Sequence, residues 1–552
     1  MAAKPLQPLV LDSIGIYGLN RQSSPASLPP QYLTTANNIM LDEKGRLTTR
    51  QGIQQVTNLI SSSATSNTLI VKSLGEYKNA AGATTVFAGA GANIYKMDTA
   101  TAPYTLAAQS FSGGTTKTDG NWQFTNFNNN FYGAQQGNKP VNFNGTTWLD
   151  LEDVSGYSKP NSVTTFTPSC LLGDFGRLWA ADIGETRDVV YYSDLLIGHV
   201  FATAADGTGG GFLDLKKVWS GDVITAMASF MGKLVIFGKN NIVIYSNPSS
   251  ISNMALNEVI KGVGCVARDS VQSIGDDLIF LSSTGLRSLA RTSEKDKVPL
   301  IDYSVNIKDT LIRNIGQSTA VKSAYIENEG IYVMTFTASN ITYVFDFKHR
   351  TPNQAPRVTT WTFDVDREPA SLAYTILYGM LIGQKDGAIA GYEGYYDTDL
   401  AGADTYSYAS YTGSFETTWV NLGESVGASL LKRLFMVLEG GSGATLGLKW
   451  YKDFSSSPSK TTSITLAPTT TGTTSLWGAS SSLYGATTVT HSHVAATHPS
   501  NSTYAPVFGL REYRTSLTGS AKNLKLSINI QSNGYDASLQ DLTLLHKQGK
   551  IR

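Results

Sequence analysis

Between Leu69 and Ile389 the chain repeats one pattern. A short apolar run meets a small polar or glycine-containing turn, and a second apolar run follows. Seven such units run from Leu69 to Tyr95, Trp122 to Phe143, Leu171 to Tyr192, Ile224 to Tyr245, Val271 to Leu289, Ala324 to Phe345 and Leu372 to Ile389. Their central turns fall near Asn79, Asn129, Asp174, Gly232, Asp276, Glu329 and Gly379, a mean spacing of 50 residues. A period of roughly 40–50 residues with several strands per unit marks a β-propeller blade. Continuous apolar runs such as Leu234–Val235–Ile236–Phe237 indicate strands buried on both faces, as in stacked blades. An all-β protein with evenly spaced hairpins gives the same signal. No unit carries a WD signature or a Ser-x-Asp-x-Gly-x-x-Trp box, so the blade number stays at six to eight.

The flanks read differently. Leu19 to Pro30 holds Pro25, Pro29 and Pro30, which block helix and sheet interiors, so an extended arm or ordered loop is expected. Two β-prone runs, Asn38–Leu41 and Arg46–Arg50, surround a turn ending in Gly45 and predict a hairpin. Beyond residue 400 the repeat stops, with Ala401–Asp404 as a linker. Phe415–Val420, Arg433–Leu438 and Leu446–Tyr451 then read as strands of a sandwich or jelly roll. Leu524, Leu526, Ile528 and Ile530 alternate with polar residues, the mark of a strand with one wet face. Between Phe454 and Tyr504 only Lys460 is charged, and a Ser/Thr-rich β excursion or long loop is expected there. The resulting organisation is all-β: an N-terminal arm and β-hairpin (1–64), a β-propeller core (65–400) and a C-terminal β-sandwich or jelly-roll-like domain (401–552).

Composition narrows the classes. Charged residues make up 16% of the 552, against about 25% in ordinary soluble domains. The 27 tyrosines and 8 tryptophans supply core material and exclude a disordered chain. No run approaches the ~18 apolar residues of a helical membrane span, so no membrane insertion is expected. The 43 basic residues balance 43 acidic ones, which is unlike a module that binds nucleic acid by neutralising phosphates. Met1–Pro5 shows no apolar signal segment, so synthesis in a reducing cytoplasm is expected. Cys170 and Cys265 are too few for a disulfide framework, and both lie in apolar settings that suit buried thiols.

Catalytic signatures are sparse. There is no Gly-x-Ser-x-Gly elbow, Walker loop or His-Glu-x-x-His, and Gly209–Gly211 lacks the Lys-Ser/Thr of a phosphate cradle. Asp364/Asp366, Asp276/Asp277 and Asp397/Asp399 with Asp404 read as solvated turn acids, the last group with oxygen ligands suited to Ca²⁺. His491, His493 and His498 fall within eight residues. On a strand His491 and His493 share a face, a spacing that suits Zn²⁺ or Fe²⁺ as well as a plain loop. No cofactor is expected.

The N-terminal block resembles a known family. Gly18–Leu19–Asn20, Asn37–Asn38–Ile39, Asp42 with Gly45–Arg46–Leu47, and Arg50–Gln51–Gly52–Ile53 are similar to the opening of tail nozzle proteins of short-tailed bacteriophages, also called tail tubular or packaged-DNA stabilisation proteins. Asp174–Trp179 with Tyr191–Asp194, Gly221–Ala226, Gly262–Cys265 and Leu281–Leu289 look like further family segments. The resemblance spans residues 15–350 and is thin after 400. It implies a non-enzymatic homo-hexamer in the virion tail, assembled in the host cytoplasm. That ring would extend the portal and adaptor channel, carry tail fibres or a tail-tip protein, and pass DNA without sequence-specific contacts. It also casts the arm and hairpin as an assembly element, with Asn20, Arg21, Pro25, Pro29, Pro30, Arg46 and Arg50 at the interface and the propeller able to fold without residues 1–30. A propeller that binds or hydrolyses glycans is the competing reading, supported by Trp122, Trp148, Trp179, Trp219 and Trp361 and by scattered acids. A cytoplasmic scaffold propeller is the third.

Overall fold

The computed structural model describes residues 5–42, 45–60, 69–99, 104–112, 117–203, 209–219, 221–275, 277–289, 302–364, 367–400, 406–422, 427–441, 444–466, 507–532 and 537–548. Each apolar unit of the repeat forms a sheet or, for the sixth, one side of a larger one. Its inner strands are Val71–Lys78, Gln123–Phe127, Cys170–Asp174, Ile224–Phe230, Gln272–Ile274, Val321–Ile326 and Pro369–Thr375. Six self-contained sheets of three to five strands form blades at 71–108, 111–150, 170–214, 224–261, 272–288 and 369–392. The remaining place, between the last two of these, is taken by Val321–Trp361, one side of a ten-stranded sheet. We number the blades I to VII in chain order. Each inner strand packs against the next, except that blade IV meets blade V through the Arg268–Ser270 turn, and that of blade VII returns to that of blade I, which closes the ring. This is the β-propeller expected from the repeat.

What holds the blades is a wedge of side chains between each pair. Tyr77 and Phe87 of blade I meet Phe131, Phe143 and Trp148 of blade II. Trp179 and Val190 of blade III meet Trp219 of the following connection and Ile224 and Met227 of blade IV. Trp361 and Val333 of blade VI meet Leu372 and Ile382 of blade VII. Buried aromatics each remove about 150–250 Å² from water, so these wedges dominate blade cohesion. Side chains also tie the inner strands together. Leu171 N donates to Gln123 Oε1 at 2.8 Å, Thr225 Oγ1 to the Cys265 carbonyl at 2.8 Å and Ser371 Oγ to the Val71 carbonyl at 2.8 Å. Gly383 permits the last contact, because a Cβ there would stand 2.6 Å from Val71 Cγ1.

The propeller is closed from the N-terminal side. Ile53–Gln55 is the outer strand of blade VII and pairs antiparallel with Ile389–Tyr392. A strand from one end of the repeat thereby completes the sheet at the other. The N-terminal block is no separate unit. Ile39–Leu41 pairs with Leu47–Thr49 in the expected hairpin, and Leu47–Thr48 pairs on with Ser538 and Leu539. Gln7–Leu11 also pairs with the last strand, Ser538–Gln548. The opposing sheet holds Leu33–Asn37, Thr412–Thr417, Asn523–Gln531, Thr445–Lys452 and Lys460–Thr465. Both chain ends therefore build one β-sandwich. The alternation at 524–530 is observed, with Leu524, Leu526, Ile528 and Ile530 buried against Leu434, Met436, Leu542 and Leu544. Leu33–Asn37 joins this sandwich to the propeller, since it pairs with Thr412–Thr417 on one side and with Pro356–Trp361 on the other.

The arm reading is corrected here. Leu19 and Leu33 are fully buried, Leu28 and Tyr32 nearly so, and Leu19 N donates to the Val358 carbonyl at 2.8 Å. The prolines shape an ordered loop that carries apolar residues into the core, so removing residues 1–30 would strip a sandwich strand that pairs with the last strand, together with the buried Leu11, Leu19 and Leu28. Replacing Leu19 with Ala should cost about 2–5 kcal/mol in urea unfolding, the range for an emptied leucine site. A cost under about 1 kcal/mol would return the segment to a surface arm.

Cys170 and Cys265 are free and buried. Burial pushes the Cys170 thiol up to about 12 and the Cys265 thiol up to about 11. The unfolded chain loses these protons first, so their contribution to stability is full below the ordinary thiol range and is lost as pH climbs toward 11–12. A polar thiol reagent at neutral pH should leave both unmodified in the native chain and label both in denaturant. Rapid native labelling would show that the thiols are accessible.

Candidate functional site: the axial funnel

Each inner strand begins at the same end of the ring, so the residues just before or at the start of these strands converge on the axis. Together with residues from the turns between the second and third strands of blades III and VII, they surround a cavity of about 580 Å³. Lys72 comes from blade I, Asp119 and Asn121 from blade II, Asp182 and Arg187 from blade III. Thr225 belongs to blade IV, Arg268 and Asp269 to the turn that opens blade V, Lys322 to blade VI and Lys385 to blade VII. A second cavity of about 220 Å³ lies among the inner strands, lined by Trp122, Gln123, Gln272 and Ser371. Arg268, Asp269 and Lys322 line both, so they form the partition between them.

That partition is an ionic clasp. Arg268 Nε and Nη2 donate to the two oxygens of Asp269 at 2.7 and 3.0 Å. Lys322 Nζ donates to Asp269 Oδ2 at 2.6 Å and to Asn121 Oδ1 at 2.6 Å. Arg268 Nη1 reaches the Ser169 carbonyl at 2.7 Å, and Ser323 Oγ donates to the Asp269 carbonyl at 2.7 Å. Blades II, III, V and VI are thus tied at one point. Burial opposes the Asp269 charge, but Arg268 and Lys322 override it and hold the carboxyl well below the usual range. Burial likewise lowers the Lys322 ammonium despite Asp269. Nearer the mouth, Lys72 pairs with Asp119 at 2.7 Å and Arg187 with Asp182 at 2.6 Å.

The residues singled out in the sequence fall elsewhere. Arg21, Pro25 and Pro29 are exposed and Pro30 is half-buried, on the loop before Leu33. Asn20, Arg46 and Arg50 are buried within the chain. Arg50 makes a bidentate pair with Asp397 at 3.0 and 2.8 Å, donates from Nε to Asn38 Oδ1 at 3.0 Å and stacks 4.3 Å over the Tyr411 ring. Arg46 pairs with Asp42 at 2.6 Å and with Glu439. Asn20 Oδ1 accepts from the Gln22 and Ser23 amides. Asp397 is therefore no solvated turn acid. Asp277 accepts the Tyr303 hydroxyl at 2.8 Å. His491, His493 and His498 lie outside the described residues, as do Asp276, Asp366 and Asp404. No cluster of three or more His, Cys, Asp or Glu suited to a metal occurs among the described residues. Trp122, Trp148, Trp179, Trp219 and Trp361 are all at most 2% exposed, so they fill blade interfaces and offer no stacking surface for a sugar. The clasp itself escaped the sequence reading. Its one signal is the charged pair Arg268–Asp269, set directly after the apolar Val263–Ala267 run that opens blade V.

No family model matches the chain, and no curated protein matches it. Solved structures do match. PorZ, a surface component of the type-IX secretion system of Porphyromonas gingivalis, is 12% identical with a TM-score of 0.36, over 68% of this chain and 45% of that one. A streptogramin B lyase is 11% identical with a TM-score of 0.34, over 70% of this chain and 96% of that one. An exo-β-1,3-galactanase from Phanerochaete chrysosporium is 10% identical with a TM-score of 0.25, over 90% of this chain and 100% of that one. Likenesses this distant carry no functional argument.

The clasp and the rim pairs should separate in stability. Asp269→Ala leaves two cations facing each other and should cost about 2–4 kcal/mol. Asp119→Ala breaks a solvent-exposed pair and should cost less than about 1 kcal/mol. Because the Asp269 carboxyl is depressed, its contribution is full above the ordinary carboxylate range and is lost as pH falls through the folded value. Urea unfolding of both variants checks this, and equal costs would remove the clasp from the frame of the ring.

Proposed function

We propose that this chain is a non-catalytic ring subunit of a short-tailed phage tail, a nozzle that extends the portal and adaptor channel and conducts DNA. The observation that carries this reading is what the family-like N-terminal residues do. Arg50 is locked to Asp397 and Asn38, and Asn38 Oδ1 also accepts from Thr362 N at 2.9 Å. Gly18 takes φ +71 with Val358 O 2.8 Å from where a Cβ would stand. The N-terminal residues of the resemblance thus weld propeller to sandwich. Family-like residues at an architectural joint support a shared architecture.

Three further points support the same reading. The clasp ties four blades together across the axial cavities of the single subunit, which suits a DNA channel formed between copies of the chain. A net charge of zero suits a conduit, since each phosphate neutralised would strengthen the grip on DNA. A glycan-hydrolysing site needs a carboxylic acid with a raised pKa beside an ionised partner. In the funnel, Asp119, Asp182 and Asp269 are each held by a base, which disfavours that alternative.

Native mass is the test. A hexamer of the 59.3 kDa chain should appear near 356 kDa, alone or bound to the portal–adaptor assembly. A chain that stays at 59.3 kDa in both settings would sink the ring.

A further inference from the structure

The axial funnel has a feature that neither the ring reading nor the clasp requires. Its lining holds five cationic side chains, Lys72, Arg187, Arg268, Lys322 and Lys385, against three carboxylates, in a chain whose total charge is zero. The surplus is also a surplus of hydrogen-bond donors. Asp182 spends one oxygen on Arg187 and the other on Ser169, and Asp269 spends both on the clasp. An ammonium has three donors and a guanidinium five. Lys72 gives one to Asp119, and Lys322 gives two to Asp269 and Asn121. Arg187 gives its Nε to Asp182, its side chain is 48% exposed, and its terminal nitrogens have no partner among the described residues.

We propose that the mouth of this funnel binds a small anion carrying carboxylate or phosphate groups. The cavity of about 580 Å³ lies within the roughly 300–1,000 Å³ of small-ligand sites. Lys322 stands at its floor, with Lys72 and Arg187 at the rim. The Lys72–Asp119 pair is 42% and 43% exposed, and such pairs contribute little, so an incoming anion displaces Asp119 at small cost. The planar fork of Arg187 matches a carboxylate or phosphate edge. Focusing of charge in a concave site strengthens the attraction.

Titration calorimetry at matched ionic strength tests the site, with inorganic phosphate in one arm and digalacturonate in the other. At least one should bind with one-to-one stoichiometry, and the affinity should fall as salt rises. Phosphate alone points to a free anion as the source, and digalacturonate alone to a carboxylated sugar. Lys72→Ala and Arg187→Ala should each weaken binding about tenfold, the loss of one charge-assisted contact. Lys261→Ala, on the exposed outer strand of blade IV, should leave it unchanged. Both rim residues are solvent-exposed, and circular dichroism should show both variants folded. If neither probe binds, or if binding survives both rim substitutions, the site does not exist. The ring reading stands or falls separately, on native mass.

Discussion

The structure depends on one strand with two partners. Leu33–Asn37 lies between the outer strand of blade VI, Pro356–Trp361, and the sandwich strand Thr412–Thr417. Without it, both sheets would end in unpaired backbone groups, which cost free energy and invite wrong partners. With it, ten strands form one sheet, and a single apolar core runs from Trp450 and Ile528 in the sandwich to Leu281 and Tyr332 in the propeller. The pairing to the propeller side is short, with Asn37 opposite Thr360. Side chains reinforce it. Thr360 Oγ1 donates to the Ala36 carbonyl at 2.8 Å, and Arg50 pins the following turn to Asp397. A buried pair of this kind is a specificity device more than a source of stability: its desolvation offsets much of its attraction, while breaking it leaves a charge stranded.

That arrangement makes assembly of the subunit non-local. Ile53–Gln55 waits for Ile389–Tyr392, and Gln7–Leu11 waits for Ser538–Gln548. The blades themselves are local hairpins. Local pairing costs little loop entropy, and the two closures cost the most. Those costs favour blades first and welding last.

This division also explains what the sequence disclosed. Each blade was legible because its strands are neighbours in the chain, so paired apolar runs and a turn appear together. The alternation of Leu524 to Ile530 was legible because one sheet face is wet. What remained hidden depends on partners hundreds of residues away. Arg50 looked like an interface charge because nothing near it in sequence neutralises it, yet Asp397 does so in space, and Arg46 adds distant Glu439 to its local partner Asp42. Pro25, Pro29 and Pro30 spoke of a loop correctly and of burial not at all. Leu19, Leu28, Tyr32 and Leu33 were the contrary signal, but their spacing fits neither a helix nor a strand. The clasp is the same case, since Asn121, Asp269 and Lys322 come from three blades.

The two faces of the ring end up chemically unlike, and the cause is the direction of the inner strands. Their starts gather Lys72, Asn121, Asp269 and Lys322 at a charged funnel. On the opposite face, the turns at their far ends carry exposed Met231, Ile376 and Leu377, and Leu195 and Leu196 lie beside the blade III turn. Leu196 N is bonded to the Gly176 carbonyl of that turn at 2.8 Å, so this apolar segment is held in place. Ion pairs at the funnel weaken with salt, whereas apolar contacts at the turns do not. A partner seated on one face therefore meets different physics from a partner seated on the other.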